Sequence, residues 1–288
     1  MPDNNDAKGG ARAMSDAEIL FETIGRVALI RLNRPQALNA LTYPMMAEIR
    51  RLALVAEADP EVTAICFIGE GRGFCSGLDA QVLAQTTSGA PRNGGGEAAA
   101  AREPRADLPG MFSYLIDISK PVISAVNGVA AGGGFVLAMM SDLRFGSENA
   151  SFTTVFSKRG LVAEHGTSWL LPRLVGASRA LDLLWSSRRV NAEEALRIGL
   201  LDRVVPADEL LSSVVDYVQQ LAETVSPKSI AIMKGQVYRH LGEGARPALE
   251  DSDRLTTASL SHPDAREGAM SLIERRAPNF KPWTGAKE

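Results

Sequence analysis

NGVAAGGGFVLAMMSD, residues 127–142, sets three consecutive glycines, Gly132, Gly133 and Gly134, directly before the apolar run 135–140. A glycine inside a helix costs roughly 1 kcal/mol against alanine, so the triplet is expected at a helix start. Such a start carries unpaired N–H groups and a partial positive charge. Glycines there let a ligand come close to the backbone. The preceding apolar segment, 122–126, reads as a buried strand that delivers the chain to this turn.

A second stretch has the same plan. VTAICFIG, 62–69, is a continuous apolar strand followed by the glycine-rich GEGRGFCSG, 69–77. Two such turns side by side can each aim one N–H at one oxygen, which is the arrangement of an oxyanion hole. The competing answer, a dinucleotide cradle, needs G-x-G-x-x-G. Residues 69–74 fail at the last position, the triplet fails too, and no G-x-x-x-x-G-K-[ST] is present.

The rest of the 288 residues bounds the class. Apolar content of 45% supports a sizeable core, and a net charge of −3 gives no basic footprint for nucleic acid. Two cysteines, Cys66 and Cys75, are too few for a disulfide framework and suit a reducing, cytoplasmic setting. No run approaches the ~20 apolar residues of a membrane span. Residues 1–14 read as a loose tail, and 86–106 as a low-complexity loop, either a lid or an insertion. A strand is expected at 27–32, helices at 43–58 and 108–118, and further strands at 142–148 and 150–155. From Thr167 helices dominate, with one short strand at LDRVV. Asn191 and Glu194 form a capping-box pattern. The class is an α/β core with a helical C-terminal region.

Seven motifs in register carry a resemblance: LNRPQALNAL (32–41), GRGFCSGLD (71–79), KPVISAVNGVAAGGG (120–134), LAMMSDLRFGSENASF (137–152), LPRLVG (171–176), A-x-x-x-G-L-x-x-x-V (195–204) and REGAMSLIERRAPNF (266–280). From about 21 to 283 the chain resembles the crotonase superfamily, the enoyl-CoA hydratase/isomerase family. The resemblance implies a crotonase-like (ClpP/crotonase) spiral of β-β-α units over 15–205. It also implies a helical trimerisation region over 206–288, in a homotrimer or dimer of trimers. The implied ligand is an acyl-CoA thioester, with coenzyme A part of the substrate and no separate cofactor or metal. Leu78 and Gly133 match the two oxyanion donors. Gln36, Ala37, Leu38, Ser76, Leu78, Asp79, Ala80 and Gln81 match segments lining the CoA moiety. Lys281 either reaches a CoA phosphate or is a solvated tail lysine.

The chain departs from the hydratase pattern at the chemistry. The register puts Val136 and Phe156 where family hydratases carry glutamates, and neither can activate water or protonate carbon. Glu164, in GLVAEHG, matches an acidic position of dienoyl-CoA isomerases and aryl-CoA dehalogenases and is the expected acid/base, against an apolar wall of Val136, Phe156 and Trp169. Capping of the following helix is the alternative role for Glu164. His165 is expected to be structural, Cys75 to pack, and Asp79 and Asp142 to fix turns. Hydration or double-bond isomerisation of an enoyl-CoA is the leading activity. Hydrolysis or C–C cleavage on the same fold, or acyl-CoA binding without turnover, stay open.

Overall fold

The computed structural model describes residues 17–87 and 108–283. The expected tail, 1–14, and positions 88–106 of the low-complexity loop lie outside them. The chain opens with β1 (Ile19–Ile24), β2 (Val27–Leu32) and α1 (Tyr43–Ala58). Three units of one plan follow: β3 (Ala64–Gly69), β4 (Gly73–Cys75) and α2 (Ala80–Thr87); β5 (Val122–Val126), β6 (Val129–Ala131) and α3 (Gly133–Met140); β7 (Leu143–Ser147), β8 (Ser151–Thr153) and α4 (Thr167–Val175). The remaining elements are α5 (Ala177–Ser186), β9 (Val190–Asn191), α6 (Ala192–Ile198), β10 (Arg203–Val205), α7 (Leu210–Thr224), α8 (Pro227–His240), α9 (Ala245–Leu260) and α10 (Pro263–Glu274). In each unit the first strand joins a six-stranded sheet ordered β1-β2-β3-β5-β7-β10. The second joins a four-stranded sheet ordered β4-β6-β8-β9. This is the expected spiral of β-β-α units.

The continuous apolar strands are buried on both faces because two cores flank the larger sheet. Ile65 and Phe67 of β3 enter the main core with Ala28 and Ile30 of β2. Ala64, Cys66 and Ile68 enter the second with Val27 and Leu29. Parallel pairing of β2 with β3 and of β3 with β5 keeps these sets in layers. Leu210, Val214 and Val218 of α7, one helical stripe, close the second core. So α7, which begins the helical region expected from 206, packs as part of the sheet assembly.

Local chemistry sets the helix ends. Thr42 Oγ1 accepts the Met45 N–H at 3.3 Å to start α1. The buried Lys120 ends it, donating from Nζ to the Ala56 carbonyl (3.0 Å) and to that of Asp59. Burial lowers the Lys120 ammonium to about 8. Asn191 Oδ1 accepts the Glu194 N–H at 2.9 Å, as the capping pattern predicts. The Glu194 carboxylate does not complete the box. Arg188 takes it in a two-pronged pair at 2.7 and 2.8 Å.

Several elements differ from the sequence reading. The helix expected over 108–118 is only a 3-10 turn, Ser113–Ile116. Gly110 stands at φ +141, and Ser113 Oγ donates to the Leu108 carbonyl at 2.6 Å, a local bond that competes with a regular helix. β4 and β6 lie inside stretches read as turns, and β1, β4, β6 and β9 give no periodic signal strong enough to be read. The turns therefore follow the second strand of each unit, and β3 and β5 are central neighbours in the large sheet.

The last three helices bury little of their own surface. Leu249, Leu260, Leu272 and Ile273 are exposed. α8 is tied to the core by Lys234 and Tyr238, which both bind the Asp142 carboxylate (2.7 and 2.9 Å). No helix among the described residues is long and apolar enough to cross a membrane.

Candidate active site

The two glycine turns meet. A Cβ on Gly77 would stand 2.8 Å from the Ala131 carbonyl oxygen and 3.3 Å from the Gly133 nitrogen. One on Gly134 would stand 2.2 Å from the Cys75 carbonyl oxygen. Only glycine permits this approach, and Gly77 and Gly132 also hold positive φ, +101 and +49. Gly132 caps α3 and Gly133 is its first residue, as the triplet predicts.

Leu78 is held by Leu41. The Leu41 N–H donates to the Gly77 carbonyl (2.7 Å), and the Asp79 N–H donates to the Leu41 carbonyl (2.9 Å). In this parallel bridge the N–H of Leu78 itself is directed away from Leu41. Among the described residues neither the Leu78 nor the Gly133 N–H donates a hydrogen bond. The space before the Gly133 Cα is bounded by Leu41 Cδ1 and Met111 Sδ, 3.1 and 3.5 Å from where a Cβ would be.

Two asparagines brace these turns, and no local pattern of residues announces either. Asn127 accepts the Gly69 N–H at Oδ1 (3.1 Å) and donates to the Gly71 carbonyl (2.8 Å). Asn39, fully buried, donates to the Glu70 and Gly73 carbonyls (3.0 and 2.8 Å) and accepts the Arg34 N–H. Both sit inside matched motifs, but their partners in the glycine turns, 31 to 58 residues away, leave no local pattern.

The segment expected to line coenzyme A is joined to the first turn. Pro35–Ala37 form a 3-10 turn, which includes Gln36. Ser76 donates its N–H to the Leu38 carbonyl (2.9 Å) and its Oγ to the Ala37 carbonyl (3.1 Å). Asp79 starts α2 by accepting the Gln81 N–H (3.0 Å) and pairs with Arg34 (3.1 Å). The Gln81 N–H first, and then Arg34, lower its carboxyl below the usual range. Asp79 thus fixes the turn, and Ala80 and Gln81 are exposed beside it. Lys281 lies apart from these turns, in a shallow cleft with Arg26, Phe280 and Trp283. Cys66 and Cys75 are buried, and burial pushes both thiols up to about 12. Neither is a nucleophile at neutral pH.

Val136 and Phe156 are part of the main core, 0% and 3% exposed, so no ionisable group stands at either position. Val155 reaches Phe156 through a positive φ of +56, an outlier for a β-branched residue, and its side chain packs on Gly132. Glu164 is half-buried on the loop before α4. Its carbonyl, not its carboxylate, serves that helix, accepting the Thr167 N–H (2.9 Å) and Oγ1 (2.6 Å). Among the described residues the carboxylate has no hydrogen-bond or ion-pair partner. The loop approaches Gly133 through its neighbours: Met111 donates its N–H to His165 Nδ1, and Met111 Sδ faces Gly133. Trp169 is half-buried against the core and carries Arg173 on its ring at 4.3 Å.

A β-β-α spiral whose turns meet glycine to glycine defines the crotonase fold, and comparisons with known proteins agree. The family model for enoyl-CoA hydratase/isomerase matches residues 22–282. A Mycobacterium tuberculosis protein named a probable enoyl-CoA hydratase is 35% identical over 93% of this chain and 99% of its own. An Alternaria alternata enoyl-CoA hydratase is 34% identical, covering 88% of this chain and 83% of its own. Among solved structures, the Mycobacterium smegmatis enoyl-CoA hydratase superposes with a TM-score of 0.79 at 26% identity, covering 92% of this chain and 99% of that one. Pseudomonas aeruginosa DspI gives 0.81 at 27% identity, covering 94% and 100%. The chain belongs to the enoyl-CoA hydratase/isomerase family.

Proposed function

We propose that the protein acts on an acyl-CoA thioester, hydrating or isomerising an enoyl-CoA through an enolate. The observation that carries this reading is the meeting of two glycine turns whose Leu78 and Gly133 N–H groups have no partner among the described residues. Two donors aimed at the thioester oxygen stabilise the charge that develops there, and removing one such donor costs about 3–4 kcal/mol in a typical acyl-transfer site. The start of α3 adds its positive dipole end. Relatives named enoyl-CoA hydratase support the substrate class.

Glu164 is the proton carrier in this reading. In isomerisation its carboxylate removes a proton from the carbon beside the thioester, the enolate spreads along the chain, and the proton returns further out. In hydration it takes the proton of a water whose oxygen adds to the β-carbon, then returns it to the α-carbon. One carboxylate serves both steps because Val136 and Phe156 offer none. Gln36, Ala37, Leu38, Ser76, Asp79, Ala80 and Gln81 line the coenzyme A path, and Val136, Phe156 and Trp169 back the acyl chain. The protein works in the cytoplasm, on fatty acyl thioesters. It assembles as a trimer or dimer of trimers through the exposed apolar residues of the last helices.

Absorbance and mass-spectrometric assays with crotonyl-, 3-enoyl- and dienoyl-CoA test the reading. Glu164→Gln is expected to lower kcat about 10²–10⁴-fold with thioester binding retained. Turnover that survives the substitution removes Glu164 from the mechanism. Tight thioester binding by the wild type without any turnover favours the second reading, a non-catalytic acyl-CoA-binding protein, for which the apolar Val136 and Phe156 speak.

A further inference from the structure

The turn after Glu164 has an unusual backbone. His165 and Gly166 both stand at positive φ, +51 and +79, and the Thr167 N–H closes onto the Glu164 carbonyl. Among non-glycine residues, histidine, asparagine and aspartate adopt this conformation most readily. The turn brings the imidazole against residues 110 and 111. A Cβ on Gly110 would stand 3.7 Å from His165 Cα, and the Met111 N–H donates to His165 Nδ1 at 3.3 Å. A ring nitrogen that accepts a hydrogen bond carries no proton, so this bond fixes the neutral tautomer with its proton on Nε2. Met111 is also the residue whose sulfur bounds the space before Gly133.

We propose that His165 is a positioning residue: its neutral imidazole accepts the Met111 N–H and so holds residues 110–112 as a wall beside Gly133. The wall's effect on catalysis rests on the enoyl-CoA reading; the pin itself does not. Protonation puts an N–H against an N–H and releases the segment. Burial holds the ring below the ordinary histidine range, with the neighbouring Glu164 carboxylate pulling the other way. Gly110, Met111 and Met140 of α3, which pack against the turn, carry no charge. A ring whose folded value is lowered is protonated first in the released state. The pin is therefore fully present above the ordinary value of about 6.5 and weakens as the pH falls below it.

Hydrogen-exchange mass spectrometry on the peptide spanning 108–113, corrected for the intrinsic pH dependence of exchange, tests the pin without any substrate. Protection is expected to fall about tenfold in His165→Ala, and in the wild type between about pH 7 and 5. His165→Asn tolerates the left-handed backbone and presents Oδ1 where Nδ1 stood, so it is expected to keep protection and lose the pH dependence. Full protection in folded His165→Ala overturns the pin, as does a His165→Asn protein that behaves like the alanine variant or shares the wild-type pH profile. With an enoyl-CoA that is turned over, His165→Ala is expected to raise KM about tenfold with a smaller change in kcat, and His165→Asn to restore it. An unchanged KM in a variant whose segment has opened overturns the positioning role. A protein with no turnover on any thioester, but with the predicted exchange pattern, defeats the enzymatic reading and leaves the pin standing.

Discussion

Leu78 and Gly133 belong to turns fixed by backbone contacts, by the bridge to Leu41 and by the amides of Asn39 and Asn127. Glu164 lies on a loop, its carboxylate has no partner among the described residues, and Val136 and Phe156 are ordinary core. The contrast follows from what each part supplies. A backbone donor survives almost any change of side chain, provided that glycine keeps the approach open. A proton carrier is a side chain, and one substitution removes it. A family can therefore keep the thioester end while its proton-transfer groups change. Here Val136 and Phe156 stand where the resemblance to hydratases would place glutamates.

The largest expected effect lies on the backbone side. Gly134→Ala places a Cβ 2.2 Å from the Cys75 carbonyl, where no flexible side chain can yield. A loss of at least about 3 kcal/mol in urea denaturation is expected, together with loss of thioester binding. A stable Gly134→Ala protein that still binds would break the contrast.

Lys234 probes a support outside both regions. It is buried, and it donates to the Leu115 and Lys120 carbonyls (3.0 and 3.1 Å) as well as to Asp142. Burial lowers its ammonium, against the pull of Asp142. Lys234→Met strips those partners, and a cost of about 3–5 kcal/mol is expected by denaturation. Because Leu115 lies in the 3-10 turn just after Met111, residues 108–116 are also expected to lose exchange protection while the glycine turns keep theirs. Asn191→Ala, remote from the site, should cost only about 1 kcal/mol through the α6 cap and leave catalysis alone.

The smallest effect concerns the turn that Asp79 holds, on the side proposed for coenzyme A. Asp79 has a lowered carboxyl value, so its stabilising contribution is present above its ordinary value near 3.9 and is lost as the pH falls through the lowered one. The wild type should be more stable than Asp79→Asn at neutral pH, and the two melting curves should converge in strong acid. A gap that stays constant with pH would show that the charge is not what holds the turn.

Much of this is legible in the residues alone. The strands at 64–69 and 122–126 were visible because continuous apolar runs are what burial on two faces requires. The α1 helix and the Asn191 cap were visible because their signals are local, and the glycine triplet marked a helix start because glycine is costly anywhere else. The 3-10 turn at 113–116 was not visible, since Lys234 and the Ser113 hydroxyl take carbonyls that a helix would have used. Nor were three-residue strands, which are too short to show a period.

By itself the sequence determined the class of fold, the glycine turns and the apolar residues at 136 and 156, all properties of residue type and order. Tertiary structure decided the rest. It brought Gly77 against Gly133 and Gly134 against Cys75, set Asn39 and Asn127 across the turns, and laid the Met111 N–H on His165. Those contacts join residues 31 to 59 positions apart. Their geometry comes from the pairing of β4 with β6 and the packing of α3 below them, which no local pattern encodes.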